Sequence, residues 1–299
     1  MILQTIKQIS CLLCLCCFLQ QSAFSQDDKD KPAYTLFDNT GKQISYGELI
    51  KRLSGYDVID GTGYFEFQPM GDGAVMQFPE EDNIHKDQLM LGAEMFESDN
   101  QLIFDEYMQQ KISYDRFEAE ARLWDNYRTD YYPVVFFAKE HHIPFIATNI
   151  PRRYANIVKN KGFEALDSLS EEAKRYIAPL PIDFEYDEAQ SAAAFSMMNM
   201  MGGRRAGDNR KLAQAQAIKD ATMGWFIARN IKNKFLHING SYHSNRQGGI
   251  IPYLLRYRPN TSIVTVTSVR QEYIRKLDDD HKGLADFYIC VPEDMVNSY

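Results

Sequence analysis

Three apolar runs end on residues of the kinds that carry chemistry. Gln88 to Ala93 (QLMLGA) is followed by Glu94. Ile143 to Ile150 (IPFIATNI) contains Asn149 and leads through Pro151 to Arg152 and Arg153. Lys234 to Asn239 (KFLHIN) leads through Gly240 to His243. Short apolar runs of this kind read as buried strands, and parallel sheets bind ligands outside the carboxyl ends of their strands. A carboxylate beside an imidazole can move protons. Guanidiniums leaving a buried strand need an anionic partner, which an acidic ligand or Glu94 could supply. The same residues also suit a structural Arg–Glu pair holding two strand ends together.

The remaining histidines read as structural. His237 lies inside KFLHIN and is expected in the core or behind the site, and His141-His142 sit at a helix end, where a cation suits the dipole. Asp220 lies inside a helix and is expected at the surface unless it pairs with one of these arginines.

The elements that must position this edge are legible in outline. Thr35-Leu36-Phe37, the turn Asp38–Gly41 and Lys42-Gln43-Ile44 form a hairpin; Ser45-x-x-Glu48 is a capping box opening a helix toward Leu53. Asn100 to His142 is expected to be mostly helical, with Leu102, Phe104, Tyr107 and Met108 on one face, then Phe117, Ala121 and Trp124 on another. Ser168-x-x-Glu171 caps a further helix, and a long helix spans Lys211 to Ile231. A helix from Gly248 to Tyr257 separates KFLHIN from the strand Ser262 to Ser268, and a last strand covers Phe287 to Val291. Between Pro179 and Arg210 stands an insertion with a helical Met-rich segment (Met197, Met198, Met200, Met201), expected as an apolar lid. Alternating strands and helices predict an α/β fold, a mostly parallel sheet flanked by helices.

Composition narrows the function. With 44% hydrophobic and 25% charged residues, the 299-residue chain is a globular protein, not a disordered one. A net charge of −8 argues against nucleic-acid or anionic-membrane binding. Residues 1–25 read as a secretory signal: Lys7, the apolar run Ile9 to Leu19, and Ser22-Ala23-Phe24-Ser25 before a polar stretch. Cleavage after Ser25 would remove Cys11, Cys14, Cys16 and Cys17, leaving Cys290 alone, so no disulfide and no thiolate metal site is expected. Metal chemistry would then fall to His, Tyr and carboxylates. Leu13-Cys14 and Leu15-Cys16 vaguely resemble a lipobox, the alternative being a lipid anchor. Residues 26–299 are expected to form one domain.

The chain also resembles the ChaN-like haem-binding protein family, exported bacterial proteins tied to iron and haem acquisition. The resemblance is carried by Leu91-Gly-Ala-Glu94-Met-Phe96 with Gln101 and Tyr107, by Trp124 with Asp130-Tyr131-Tyr132-Pro133, and by Thr148-Asn149-Ile150-Pro151-Arg152. It continues in Ala215 to Met223 and Asn239-Gly240-Ser241-Tyr242-His243. It implies a periplasmic α/β protein binding ferric haem at a homodimer interface, each iron held by one tyrosine and a partner His at a propionate. Outer-membrane haem-uptake components would be further partners. On this resemblance Tyr131 is the iron ligand, Tyr127 the reserve and Tyr154 third. His243, Arg152, Arg153, Glu94 and Glu66 line the propionates and pocket. Phenolate is a hard donor suited to Fe(III), and a nearby Arg lowers the phenol pKa.

One stretch departs from the family pattern. Where a Gly-Glu-x-His motif is expected, the chain reads Phe65-Glu66-Phe67-Gln68, and Met70 to His85 has no helical period. Distant relatives resembling this fold include erythromycin esterases and metal-dependent proteases. A Glu/His- or metal-dependent hydrolase is therefore the alternative, and a degenerate member that binds nothing tightly is a third reading.

Overall fold

The structure, a computed structural model, describes residues 34–62, 89–186 and 209–295. The leader 1–25, Glu66 with the divergent stretch around it, and Met197–Met201 of the insertion lie outside the described residues.

Eight strands form one sheet: β1 (Thr35–Asp38), β2 (Gln43–Ile44), β3 (Val58–Thr62), β4 (Leu89–Glu97), β5 (Phe145–Asn149), β6 (Lys234–Asn239), β7 (Ile263–Gln271) and β8 (Phe287–Pro292). Their order is β2-β1-β8-β7-β3-β6-β4-β5. From β8 to β5 every neighbouring pair is parallel, while the β1–β2 hairpin adds to β8 antiparallel. The mostly parallel α/β architecture expected from the apolar runs is present. Ser45 Oγ accepts the Glu48 N–H at 3.2 Å and opens α1 (Tyr46–Leu53), as the capping box requires.

The other helices are α2 (Gln101–Met108), α3 (Tyr114–Glu120), α4 (Tyr132–Glu140), α5 (Arg152–Lys161), α6 (Asn209–Asn230) and α7 (Ile250–Tyr257). Three expectations need correction. Leu102 is 70% exposed, because one turn of α2 gives its buried face to Phe104 and Tyr107 only. Ser170, not Ser168, caps the turn Glu171–Lys174, accepting the Ala173 N–H at 3.2 Å. Asp220 is buried, because α6 is covered almost all round and has no free polar face at that point.

Strand side chains alternate between faces. One face packs Leu91, Ala93, Phe145 and Ile238 under Phe104, Phe117, Val134 and Phe137. The opposite face starts apolar: Val58, Met90 and Phe235 meet Met223 and Ile227 of α6 and Ile250 and Leu254 of α7. Two residues further along the same strands, that face turns polar: Asp60, His237, Thr148 and Thr265, all within 1% of full burial. Gly92 fills the β4 position in this row because nothing larger fits. A Cβ there would lie 2.7 Å from Phe235 Cζ and 3.0 Å from Thr148 Cγ2. His237 Nε2 therefore lies 2.9 Å from Thr148 Oγ1, with its Nδ1 3.5 Å from Asp60 Oδ2. His237 is a core residue, as its place in the strand indicates.

Candidate functional site

β4 leads outward to β5 while its neighbour β6 leads back across β3 to β7. The chain thus leaves two adjacent carboxyl ends in opposite directions, the arrangement that opens a crevice in parallel sheets. Glu94 and His243 meet there. Glu94 Oε2 accepts the Gly240 N–H at 2.7 Å, and its Oε1 lies 3.2 Å from His243 Nε2. The other ring nitrogen, Nδ1, lies 2.5 Å from Asp220 Oδ1 of α6.

Burial alone would push the His243 imidazolium down, but Glu94 and Asp220 together carry it up to about 10. Burial likewise opposes ionisation of Glu94, yet His243 and the Gly240 N–H bring it down to about 2. Asp220 moves the other way, upward, although it touches the same imidazolium. The asymmetry has a cause. One positive charge serves two carboxylates, Glu94 has an extra backbone donor, and Asp220 faces burial and the Glu94 charge. Lys219 is the next cation acting on both.

The loop carrying His243 is held in an unusual backbone. Arg246 and Gln247 adopt φ of 60° and 58°, a conformation costly for residues with a Cβ. Gly249 has φ of 53°, and a Cβ there would fall 2.1 Å from the His243 carbonyl oxygen. The strain is retained because Gln247 Nε2 donates to Asp286 at 3.0 Å and the Arg246 N–H donates to the Leu284 carbonyl at 2.7 Å.

A second constellation occupies the rim beyond β4, at the start of α5. Glu97 and Asp99 are nearly buried, and three arginines close over them. Arg122 Nε donates to Glu97 at 2.9 Å and its Nη2 reaches Asp99; Arg152 Nε stands 3.3 Å from Glu97; Arg153 Nη1 donates to Asp99 at 2.6 Å. Arg152 and Arg153 sit in the first turn of α5, the positive end of the helix dipole, where cations are disfavoured. The two carboxylates offset this. The Arg152 guanidinium lies 5.7 Å from the centre of the Trp124 ring, and the Tyr131 ring meets that indole edge-on at 6.2 Å. Arg153 covers the Tyr154 ring at 4.4 Å.

The structure therefore joins Glu94 to His243, and Arg152 to Tyr131 through Trp124. Several expectations change. Arg152 and Arg153 pair with Glu97 and Asp99 instead of Glu94, because β4 runs three residues past Glu94 before the chain turns. His243 has both nitrogens committed to carboxylates and is 4% exposed, so it does not face outward toward a propionate. Asp220 pairs with a histidine, not an arginine. Tyr127 is 2% exposed inside an aromatic cluster with Phe96, Phe117 and Tyr132, and its hydroxyl has no hydrogen-bond partner. Burial pushes its phenol far up, so it is no source of phenolate. Tyr131 is half-buried in the same turn, Tyr127–Tyr131. Glu66 lies outside the described residues. Arg122, Glu97 and Asp99 were not singled out from sequence. The available signal was the pair of acidic residues Glu97 and Asp99 closely following the apolar start of that strand.

The family model described as "Haem-binding uptake, Tiki superfamily, ChaN" matches residues 74–254. Among solved structures, the ChaN of Campylobacter jejuni described as binding haem cofacially is 16% identical, with a TM-score of 0.56 over 86% of this chain and 96% of that one. At this identity the likeness shows the fold. The type III effector HopBA1 is 10% identical (TM-score 0.36, 79% and 87% covered), and an erythromycin esterase in its open conformation is 9% identical (TM-score 0.39, 86% and 83% covered). No curated protein matches the chain.

Proposed function

The chain belongs to the haem-binding uptake, Tiki superfamily, ChaN family, and from that membership we propose that it binds ferric haem at the β4–α5 rim. In this reading Tyr131 would hold the iron, Arg152 and Arg153 would meet the propionates, and the site would close at a homodimer contact. The protein works after export to the periplasm, in haem or iron acquisition, with outer-membrane uptake components as partners.

The observation that carries the assignment is the alignment of Tyr131, Trp124 and Arg152. A porphyrin site needs an axial donor, an apolar or aromatic wall and cations for its carboxylates, and the rim offers one of each within two ring contacts. The residues fit the group. Tyr127 fails on burial, whereas Tyr131 is half-buried and its ring meets the Trp124 indole that Arg152 also approaches. Phenolate ligation supplies ferric iron with a hard anionic donor. The buried Glu94–His243–Asp220 set ties β4, the loop after β6 and α6 together.

The test is a hemin titration of the chain cleaved after Ser25, followed by absorbance and sedimentation. One hemin bound per chain, with a shift toward dimer on loading, is expected. Absence of saturable uptake would overturn the reading.

A further inference from the structure

At the rim, carboxylates and guanidiniums alternate as Arg152, Glu97, Arg122, Asp99 and Arg153. The anions are inside: the Glu97 and Asp99 side chains are 4% and 10% exposed. The cations are outside: Arg122, Arg152 and Arg153 are 47%, 66% and 48% exposed. Three positive charges over two negative ones leave a net charge of +1 facing solvent. Each guanidinium carries five N–H donors in a fixed fork, and the two buried carboxylates engage only part of that set. Arg152 is the most exposed and the least tightly held, since Glu97 Oε1 lies 3.3 Å away and has no hydrogen-bond partner. The rosette also stands at the amino end of the ten-residue helix α5, which attracts anions.

Because His243 is committed inward, the porphyrin carboxylates need another partner. We propose that this rosette is a preformed dicarboxylate receptor that makes the protein selective for porphyrins with free propionates. Arg122 is its third arm, and Glu97 and Asp99 are positioning residues that hold the forks. The proposal rests on the haem reading above and adds a specificity to it. Guanidinium–carboxylate hydrogen bonds are charge-assisted and bidentate, so an ester, which keeps the ring and iron but loses both charges, forfeits them.

The experiment compares hemin with hemin dimethyl ester, following tryptophan fluorescence quenching, for the wild type, Arg122→Gln and Arg152→Gln. The wild type is expected to bind the ester at least about tenfold more weakly than hemin. Each substitution is expected to weaken hemin by about tenfold and to leave ester affinity unchanged. Arg152→Gln removes a largely exposed side chain, so it keeps the comparison usable if Arg122→Gln does not fold. Equal wild-type affinity for the two ligands, or equal losses for both in the variants, overturns the receptor while leaving haem binding standing. Failure of the wild type to bind either ligand overturns the haem reading, and the receptor with it.

Discussion

Replacing His243 by Ala should be among the most damaging single changes in this protein. The imidazolium sits between Glu94 Oε1 at 3.2 Å and Asp220 Oδ1 at 2.5 Å, with all three side chains 10% exposed or less. Its removal leaves two carboxylates buried together without their shared cation. Breaking a buried ion pair by deleting one partner costs about 3–5 kcal/mol, because the orphaned charge stays in a low-dielectric site. For a domain of this size each kcal/mol moves the melting temperature by about 2–4 °C, so a fall of about 6–20 °C is expected. Thermal unfolding followed by circular dichroism reads this directly. Adding Glu94→Gln to the His243→Ala background should recover part of the loss, because one of the two stranded carboxylates is then neutral. A fall of less than about 2 °C for His243→Ala would refute the reasoning, since it would mean that the imidazolium contributes little positive charge to the cluster.

The same cluster sets the pH response. His243 is raised from its ordinary value to about 10, so its contribution is complete below pH 6.5 and is lost as pH rises toward 10. Glu94 is lowered to about 2, so its share is complete above its ordinary value and is lost only as pH falls toward 2. Urea midpoints should therefore decline from pH 7 to 10.5 in the wild type and decline less in His243→Ala; identical slopes would contradict this. Gly92→Ala should cost about 1–3 kcal/mol, because the added Cβ meets Phe235 at 2.7 Å; an unchanged urea midpoint would show that the β4 row has room to spare. Tyr127→Phe should leave stability unchanged or raise it by about 1 kcal/mol, because the lost hydroxyl is buried without a partner. Its hemin spectrum should match that of the wild type, and an altered one would make Tyr127 the ligand.

The fold was legible where burial is uniform. QLMLGA, KFLHIN and SIVTVTS form interior strands with both faces covered, and each, like IPFIATNI at the sheet edge, became a strand within a few residues of its expected bounds. The convergence of Glu94 and His243 followed from counting strand ends. Non-local pairing was not legible: nothing in Thr35–Asp38 indicates that it lies beside β8, more than 240 residues later. Asp220 was misplaced because the rule that a helix shows one polar face fails for α6, whose residues from Ala217 to Gly224 are buried apart from Lys219. Arg152 and Arg153 were visible, but Arg122 and the carboxylates that hold all three were not, since the apolar run gives no sign that β4 extends to Glu97. Tyr127 stood as the reserve to Tyr131 because a four-residue spacing puts both on one face of a regular helix. The Tyr127–Tyr131 turn is a wider π-type turn that buries the first and leaves the second beside Trp124.

The most direct test is the absorbance spectrum of the hemin complex of Tyr131→Phe against wild type, with matching melting temperatures as the control for folding. Tyr131 ligation requires that the ferric tyrosinate signature of the wild type disappear and that hemin affinity fall, since the iron's anionic oxygen donor is lost. An unchanged spectrum with unchanged affinity would contradict it and move the iron away from this rim.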